Sequence, residues 1–391
     1  MAKINLHSLV VIANVSGVQG NTPLTESHRI VDLSCIRQEI AGRADNHLYD
    51  GDVWQEAYRR TNLLLEHGQG VIFQGGFLQP RDVDTLTQIA HRWGIKLYWH
   101  LPALENISHR LAPVYNQVVR KIHKAGKGEI LGLDYSFAQL SHTQQPSKIL
   151  AVGDVHGNLP AMQKAIALAE KEDLFIVWLG DVLDYGSQNL RCIRAAYDSV
   201  ISDRAHMIWG NHERKISKWI MSNWGQYFQG RLSEANLTTI REIQALPLDS
   251  ATRFHSAWRA LENLSTQHWR VGNFLFTHGA ATADMWCMNS HRLSGIHSEH
   301  AYFGEVMDSR TKTAEGYPVR TWNWVNRVPD NHTVVVGHDW LDHDSCCVTV
   351  KRGSQGGQAI CVDTGSSKGG RLASVVIDLQ TQTWEARYFD T

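Results

Sequence analysis

The chain lacks the devices that fix a small secreted protein or a membrane protein. Its six cysteines, Cys35, Cys192, Cys287, Cys346, Cys347 and Cys361, contain no CxxC spacing, and the adjacent pair Cys346-Cys347 suits neither a metal site nor a simple disulfide framework. They read as reduced thiols. No basic stretch followed by an apolar run opens the chain, and nowhere do about eighteen apolar residues run together. The expectation is a soluble, cytoplasmic protein that does not engage membranes. A formal net charge of -1 excludes a globally basic nucleic-acid binder and leaves any such substrate to a local patch. Internal repeats and low-complexity tracts are also missing. With 391 residues, 43% hydrophobic and 20% charged, the chain has material for two or three domains with cores of their own. The 14 tryptophans are scattered, as core or domain-interface residues are, and do not form a base-stacking platform.

What is present is an ordered series of short polar segments in the second half. Gly153-Asp154-Val155-His156-Gly157, Gly180-Asp181-Val182-Leu183-Asp184 and Gly210-Asn211-His212-Glu213 each follow an apolar run that reads as a buried strand: Ile149 to Val152, Leu174 to Leu179 and His206 to Trp209. Phe274 to Thr277 leads likewise into His278-Gly279, and Thr333 to Val336 into Gly337-His338-Asp339. Polar groups delivered at the carboxyl ends of strands are where open α/β sheets place their sites. The set Asp154, His156, Asp181, Asn211, His278 and His338 mixes oxygen and imidazole donors and suits two divalent cations sharing one carboxylate. Asp154 and His156 stand two apart at a strand end, so in an extended chain both point the same way and hold one metal. Asp181 is the candidate for the shared carboxylate. Imidazole and carboxylate without cysteine favour Mn, Fe, Ni or Zn over Ca, and two Mn2+ ions are the expected cofactor.

The order GDVHG, GDVLD, GNHE, THG and GHD resembles the calcineurin-like metallophosphoesterases, within their phosphoprotein-phosphatase-like branch. Val362-Asp363-Thr364-Gly365 with Gly369-Gly370-Arg371-Leu372 is similar to the terminal segment of bacterial members such as the diadenosine tetraphosphatases and the phosphatase module of polynucleotide kinase-phosphatases. The resemblance runs from about Ser147 to Thr391 and implies an α/β fold of αββα sandwich type. It also implies that Asn211, His278 and His338 complete the second metal position. Hydroxide is then available near neutrality between the cations for in-line attack on phosphorus. His212 is the implied general acid, and Asp184 the partner that orients and charges it. The usual Asp-Arg-Gly is here Asp184-Tyr185-Gly186, so one phosphate-clamping arginine is absent; Arg214 or Arg371 are the candidates to supply its charge.

The first half differs. The apolar run Leu9 to Ala13 is followed by Ser16-Gly17-Val18-Gln19-Gly20-Asn21-Thr22, where a phosphate-cradling P-loop would sit. Asn21 stands where the lysine should be and Val15 where the first glycine should be, so Gly20 and Thr22 alone survive from the motif. Downstream, Val53 to His67, Gln69 to Phe73, Arg81 to Gly94 and Ile95 to Trp99 alternate helix and strand as in a parallel sheet with crossovers. This order resembles a P-loop polynucleotide kinase. Ser34-Cys35-Ile36-Arg37 is similar to the kinase segment that carries the catalytic Asp and its Arg; Arg37 is kept, Ser34 replaces the acid, and Gln74 stands where a second acid is common. Losing the lysine and the base removes most phosphoryl transfer. Residues 1–125 therefore read as a degenerate kinase-like domain, either structural or binding a nucleotide or substrate end through Gly20, Thr22 and Arg37.

Residues 126–146 have the Gly-rich and polar composition of a linker, leaving 147–391 for the phosphoesterase. Within it, residues 217–264 show helical periodicity and are expected as an insertion over the site that shapes substrate choice. The favoured activity is hydrolysis of a phosphoester at a nucleic-acid end, a 3′-phosphate or 2′,3′-cyclic phosphate, by this pairing of domains. Hydrolysis of diadenosine polyphosphates or nucleotides, or of phosphoproteins, is the enzymatic alternative. A nucleic-acid-binding or partner-binding pseudoenzyme is the alternative from another class, and oligomeric state is not legible.

Overall fold

The alternating apolar runs of the first half form a five-stranded sheet in the computed structural model, which describes residues 4–13, 28–45, 47–76, 78–101, 112–125, 128–131, 146–288, 292–307, 311–312, 318–340 and 347–390. Gly20, Asn21, Thr22, Cys346 and most of the expected linker lie outside the described residues. The strands are β1 (Ser8–Ala13), β2 (His28–Asp32), β3 (Gly70–Gly76), β4 (Lys96–His100) and β5 (Glu129–Leu131), in the spatial order β2-β3-β1-β4-β5. All four pairings are parallel. Strand β5 corrects the expectation of a linker over 126–146, because Glu129 to Leu131 pair with Tyr98 to His100 as the last strand of this sheet. Parallel pairing requires crossovers, supplied by α1 (Leu33–Ala41), α2 (Asp50–Glu66), α3 (Pro80–Trp93) and α4 (Ala112–Ala125). Alternate residues of β1 serve two cores: Leu9 and Val11 meet Val53 and Leu65 of α2 and Leu86 of α3, whereas Val10 and Ile12 meet Ile72 and Tyr98.

The chain divides into two compact units. The first gathers residues from the first 143 together with Ile201–Asp203 and Pro247–Asn263; the remainder forms the second. The stretch expected as one helical insertion is thus shared out. Its part in α9 (Leu248–Leu264) belongs with the first unit, where the Ser256 hydroxyl donates to the Leu65 carbonyl at 2.7 Å and the Asn263 amide to the His67 carbonyl at 2.8 Å. Helical periodicity shows which face of a helix is apolar, not what covers that face.

The second unit holds two more five-stranded sheets. One has the order β17-β16-β6-β7-β8, with β6 (Lys148–Val152), β7 (Phe175–Trp178) and β8 (Ala205–Met207) parallel and β16 (Leu372–Asp378) and β17 (Thr383–Phe389) antiparallel. The other has the order β14-β15-β13-β10-β9. Here β10 (Phe274–Thr277), β13 (Thr333–Val336) and β15 (Gln358–Cys361) are parallel, while β9 (His268–Val271) and β14 (Thr349–Arg352) form antiparallel edges. Ile149, Ala151 and Val177 of the first sheet share one core with Phe274, Phe276, Val335 and Ile360 of the second. The alternate residues Leu275, Val334 and Val336 face away, onto Ala301 of α10 (Gly295–Phe303) and Trp324. Trp178, on β7 of the first sheet, bonds through its indole to Ser199 of α6 (Asn189–Ile201) at 3.0 Å. The result is the α/β sandwich of two sheets flanked by helices. Among the described residues no helix is long and apolar enough to cross a membrane.

Candidate metal centre

The turns after β6, β7, β8, β10 and β13 bring their polar residues to one place around the Asp181 carboxylate. Asp181 Oδ2 lies 3.4 Å from His278 Nε2, 3.7 Å from His212 Nε2 and 4.0 Å from His156 Nε2. His156 Nε2 is also 3.8 Å from Asp154 Oδ2. On the other side His278 Nε2 is 2.9 Å from Asn211 Oδ1 and 3.1 Å from His338 Nδ1. Two groups of potential ligand atoms result, His156 with Asp181 and His212, and Asp181 with His278 and His338, each within 4.8 Å. Asp181 belongs to both. All six residues expected as ligands are thereby assembled.

The backbone achieves this at a cost. His156, Asp181, Asp184, Tyr185 and His338 have φ of 49, 50, 74, 63 and 67°, in the left-handed region that costs an L-residue about 1–2 kcal/mol. This corrects the expectation of an extended Asp154-Val155-His156: the chain turns at His156, and the two side chains converge because of that turn. Two glycines are fixed by close approach, since a Cβ on Gly210 would stand 2.3 Å from Asp181 Oδ1 and one on Gly337 would stand 2.2 Å from Asp154 Oδ1. The carboxylates fill the space that side chains there would take.

Backbone carbonyls set the imidazole tautomers. Nδ1–H of His156 donates to Leu183 at 2.9 Å and Nδ1–H of His278 donates to Leu179 at 2.8 Å, which leaves each Nε2 facing the cluster. The same signature orients ligating histidines at metal sites. Burial would depress His278, but Asp181 outweighs it and lifts the imidazole to about 10. Burial likewise acts to raise Asp181, and His278 and His212 carry it well below the usual carboxylate range instead. A divalent ion bound among these groups would compete with their protons. The donors fit such ions: oxygen and imidazole nitrogen, buried and convergent, without cysteine.

His212 and Asp184 are joined as expected. His212 Nδ1 is 2.5 Å from Asp184 Oδ2, and Asp184 is wholly buried. Asp184 also accepts from Asn236 and Thr239, at 2.5 Å each, on α8 (Glu234–Gln244). Burial opposes a charge on His212; Asp181 and then the Asp184 bond hold its pKa above the ordinary value.

The remaining candidates among the described residues have partners of other kinds. Arg214 sits 3.3 Å from Glu299 and over the Tyr302 ring at 4.8 Å, both on α10, and Arg371 lies over the Tyr388 ring at 4.3 Å. Arg37 is buried against Asp50 at 2.8 Å and donates to the Ala44 carbonyl. Sequence reasoning also passed over several residues. Glu213 is buried and accepts from the backbone N–H of Asp181, Val182 and Gly210 at 2.9, 2.8 and 3.1 Å, which fixes the turns that carry Asp181 and Asn211. Burial, then Asp181, raise it to about 7. Asp363 lies two residues past the end of β15, and after burial its charge is the next influence that raises Asp154; it too follows an apolar run, Ala359 to Val362, which was the available signal. In the first unit Asp32, two residues before Ser34, closes β2 and accepts from the Ser34 hydroxyl, from the N–H of Ser34 and Cys35, and from Gln74. It caps α1 through Oδ1, while Oδ2 accepts from Gln74 alone.

Comparison with known proteins places the second unit in context. A family model described as calcineurin-like phosphoesterase matches residues 147–354. The asymmetrical bis(5′-nucleosyl)-tetraphosphatase PrpE of Geobacillus sp. (strain WCH70) is 22% identical over 242 residues, 58% of this chain and 89% of that protein. The PrpE of Bacillus anthracis (strain CDC 684 / NRRL 3495) is 24% identical over 243 residues, covering 57% and 88%. Among solved structures, a protein serine/threonine phosphatase from Saccharomyces cerevisiae aligns with 15% identity and a TM-score of 0.40 over 71% of this chain and 95% of that one.

Proposed function

We propose, from the premise that the chain belongs to the calcineurin-like phosphoesterase family, that it hydrolyses a phosphoester at a nucleic-acid end, a 3′-phosphate or a 2′,3′-cyclic phosphate. The observation that carries the chemistry is the membership of Asp181 in both potential ligand groups. Asp154, His156 and Asp181 would hold one divalent cation; Asp181, Asn211, His278 and His338 would hold the other. Bound there, two cations supply positive charge for the phosphoryl oxygens and acidity for a water. The chain's own residues do the rest. Asp184, fixed by Asn236 and Thr239, holds Nδ1–H of His212, so His212 Nε2 faces the cluster and can pass a proton to the leaving oxygen. Asp154 accepts the His338 backbone N–H at 3.0 Å, which ties the turns after β6 and β13 together.

The choice of a nucleic-acid end draws its support from the first unit. The family match begins at residue 147 and leaves that unit outside it. Its strand order puts β1 in the centre, with β2 and β3 to one side and β4 and β5 to the other, so the turn after β1 begins where the winding reverses, the usual ligand crevice of a parallel sheet. We read residues 1–125 of this unit as a kinase-like module without catalysis that binds the end of the substrate. A second reading, hydrolysis of dinucleoside polyphosphates, draws support from the activity named for the two PrpE relatives.

One panel separates these readings: a 3′-phosphorylated oligonucleotide, a 2′,3′-cyclic end, diadenosine tetraphosphate and a phosphopeptide, with Mn2+ and with Zn2+. The highest kcat/KM on one of the nucleic-acid ends is expected. The highest kcat/KM on diadenosine tetraphosphate would replace this reading with the second, and the highest on the phosphopeptide would remove both.

A further inference from the structure

Tyr185 stands at the rim of the cluster in a conformation that a bulky residue seldom adopts. Its φ is 63°, directly after Asp184 at 74°, and the residue is 41% exposed. Its ring centroid lies 4.8 Å from that of His156 and 5.5 Å from that of His212. The Lys368 ammonium is placed 4.9 Å over the same ring. The strained turn therefore aims an aromatic surface at the mouth of the site and seats a cation on it.

The turn that carries Lys368 is built rather than loose. The N–H of Gly365 donates to Asp363 Oδ1 at 3.0 Å, and those of Lys368 and Gly370 donate to the Gly365 carbonyl at 2.8 and 3.0 Å. The Asn158 amide, at the start of α5 (Leu159–Glu172), donates to the Ser366 hydroxyl at 2.9 Å. Gly365 has φ of 68°, and a Cβ there would stand 2.7 Å from the Trp340 ring. Lys368 itself is exposed, and its ammonium forms no ion pair with any described residue. A ring face satisfies none of the three N–H donors of an ammonium. A cation fixed at its stem, seated on a ring that touches two imidazoles of the cluster, and held near Asp363 without an ion-pair contact to it, has the makings of a receptor for substrate charge.

We propose that Lys368, positioned by Tyr185, binds a second phosphate of the substrate, the one next to the phosphoryl group that is hydrolysed. The pair stands one aromatic ring's breadth outside the histidines, beyond the reacting phosphorus and within the span of a neighbouring phosphate. The second phosphate has two sources, an internucleotide phosphodiester or a polyphosphate chain. The assignment deepens the phosphoesterase reading and rests on it.

The test measures KM and kcat of the full chain and of Lys368→Met, Lys368→Arg, Tyr185→Leu and Tyr185→Phe on an aryl monophosphate, a 3′-phosphorylated dinucleotide and diadenosine tetraphosphate. Lys368→Met should raise KM for the two-phosphate substrate by about tenfold more than for the aryl phosphate, the effect of losing one charge-assisted hydrogen bond. Lys368→Arg should restore most of this, Tyr185→Leu should move KM as Lys368→Met does, and Tyr185→Phe should not. Whichever two-phosphate substrate shows the effect identifies the source. Equal rises on all substrates, or none, would overturn the proposal. If wild type cleaves neither two-phosphate substrate, the nucleotide reading has failed, and the Lys368 assignment is decided by inhibition of aryl phosphate hydrolysis at fixed free cation. Pyrophosphate should then lose about tenfold potency against Lys368→Met relative to orthophosphate; an unchanged ratio would contradict the assignment.

Discussion

The Nδ1 nitrogen of His212 lies 2.5 Å from Oδ2 of Asp184, and the other oxygen of that buried carboxylate takes the Thr239 hydroxyl. Helix α8 therefore reaches the site from below, through the residue that orients the proposed acid. This part of the expected insertion holds the Asp184 carboxylate in place. Asp184 keeps a left-handed backbone, φ 74°, and its carboxylate there accepts bonds from His212, Asn236 and Thr239, which offset the strain.

His212→Asn should lower kcat by about 10²-fold on esters with poor leaving groups and by less on aryl phosphates, since only the former need a proton. Steady-state kinetics across a leaving-group series checks this. A flat series would make His212 a ligand or a structural residue in place of the acid.

Glu213→Ala removes the acceptor of three backbone N–H groups and should cost about 3 kcal/mol or more, because buried donors are left unsatisfied. A urea titration gives the number. An unchanged midpoint would show that water replaces the carboxylate without loss.

Deleting residues 1–140 should not release a well-behaved phosphoesterase. Trp258 and Leu261 of α9 are each 1% exposed, and Ser256 and Asn263 lose the carbonyls of Leu65 and His67. The truncated chain should bind a hydrophobic dye strongly and unfold at lower denaturant than the full chain. Equal midpoints and no dye binding would contradict the assignment of α9 to the first unit.

Burial, then His28, depress the His7 imidazole from the usual 6.5 to about 3. The unfolded chain thus holds more protons than the folded one between these values. The contribution of His7 to stability is full above pH 6.5 and declines as pH falls toward 3, by up to about 1.4 kcal/mol per pH unit for one proton. Denaturant midpoints at pH 7 and pH 5 should converge in His7→Gln relative to wild type. The same pH slope in both proteins would exclude His7 as its source.

Much of this was legible in the chain because burial on both faces leaves a strand uniformly apolar, and the polar residue after it then stands out. The runs before Asp154, Asp181, His278 and His338 all became β6, β7, β10 and β13, with ends shifted by at most a residue. The same logic gave the parallel sheet of the first unit. Hidden were the features that depend on tertiary partners. Glu213 belongs to a helix start, and its role appears only when its carboxylate meets the distant turn of Asp181 and Val182. The destination of α9 is set by which surface covers Trp258, and periodicity carries no such information. Arg214 and Arg371 were expected to supply charge to a phosphate by their place beside motif residues; that they lie over Tyr302 and Tyr388 is a choice of partner that sequence adjacency does not reveal.

The central claim is that one carboxylate, Asp181, serves two cation positions, and metal content after reconstitution tests it most directly. Purified wild-type protein stripped with chelator, reloaded with Mn2+ and passed over a desalting column should carry two ions per chain by elemental analysis. Asp181→Ala should lose both together, along with hydrolysis of an aryl phosphate, and should remain folded by circular dichroism. Asp181→Ala that keeps two ions, or that drops to one while wild-type turnover persists, would contradict the account.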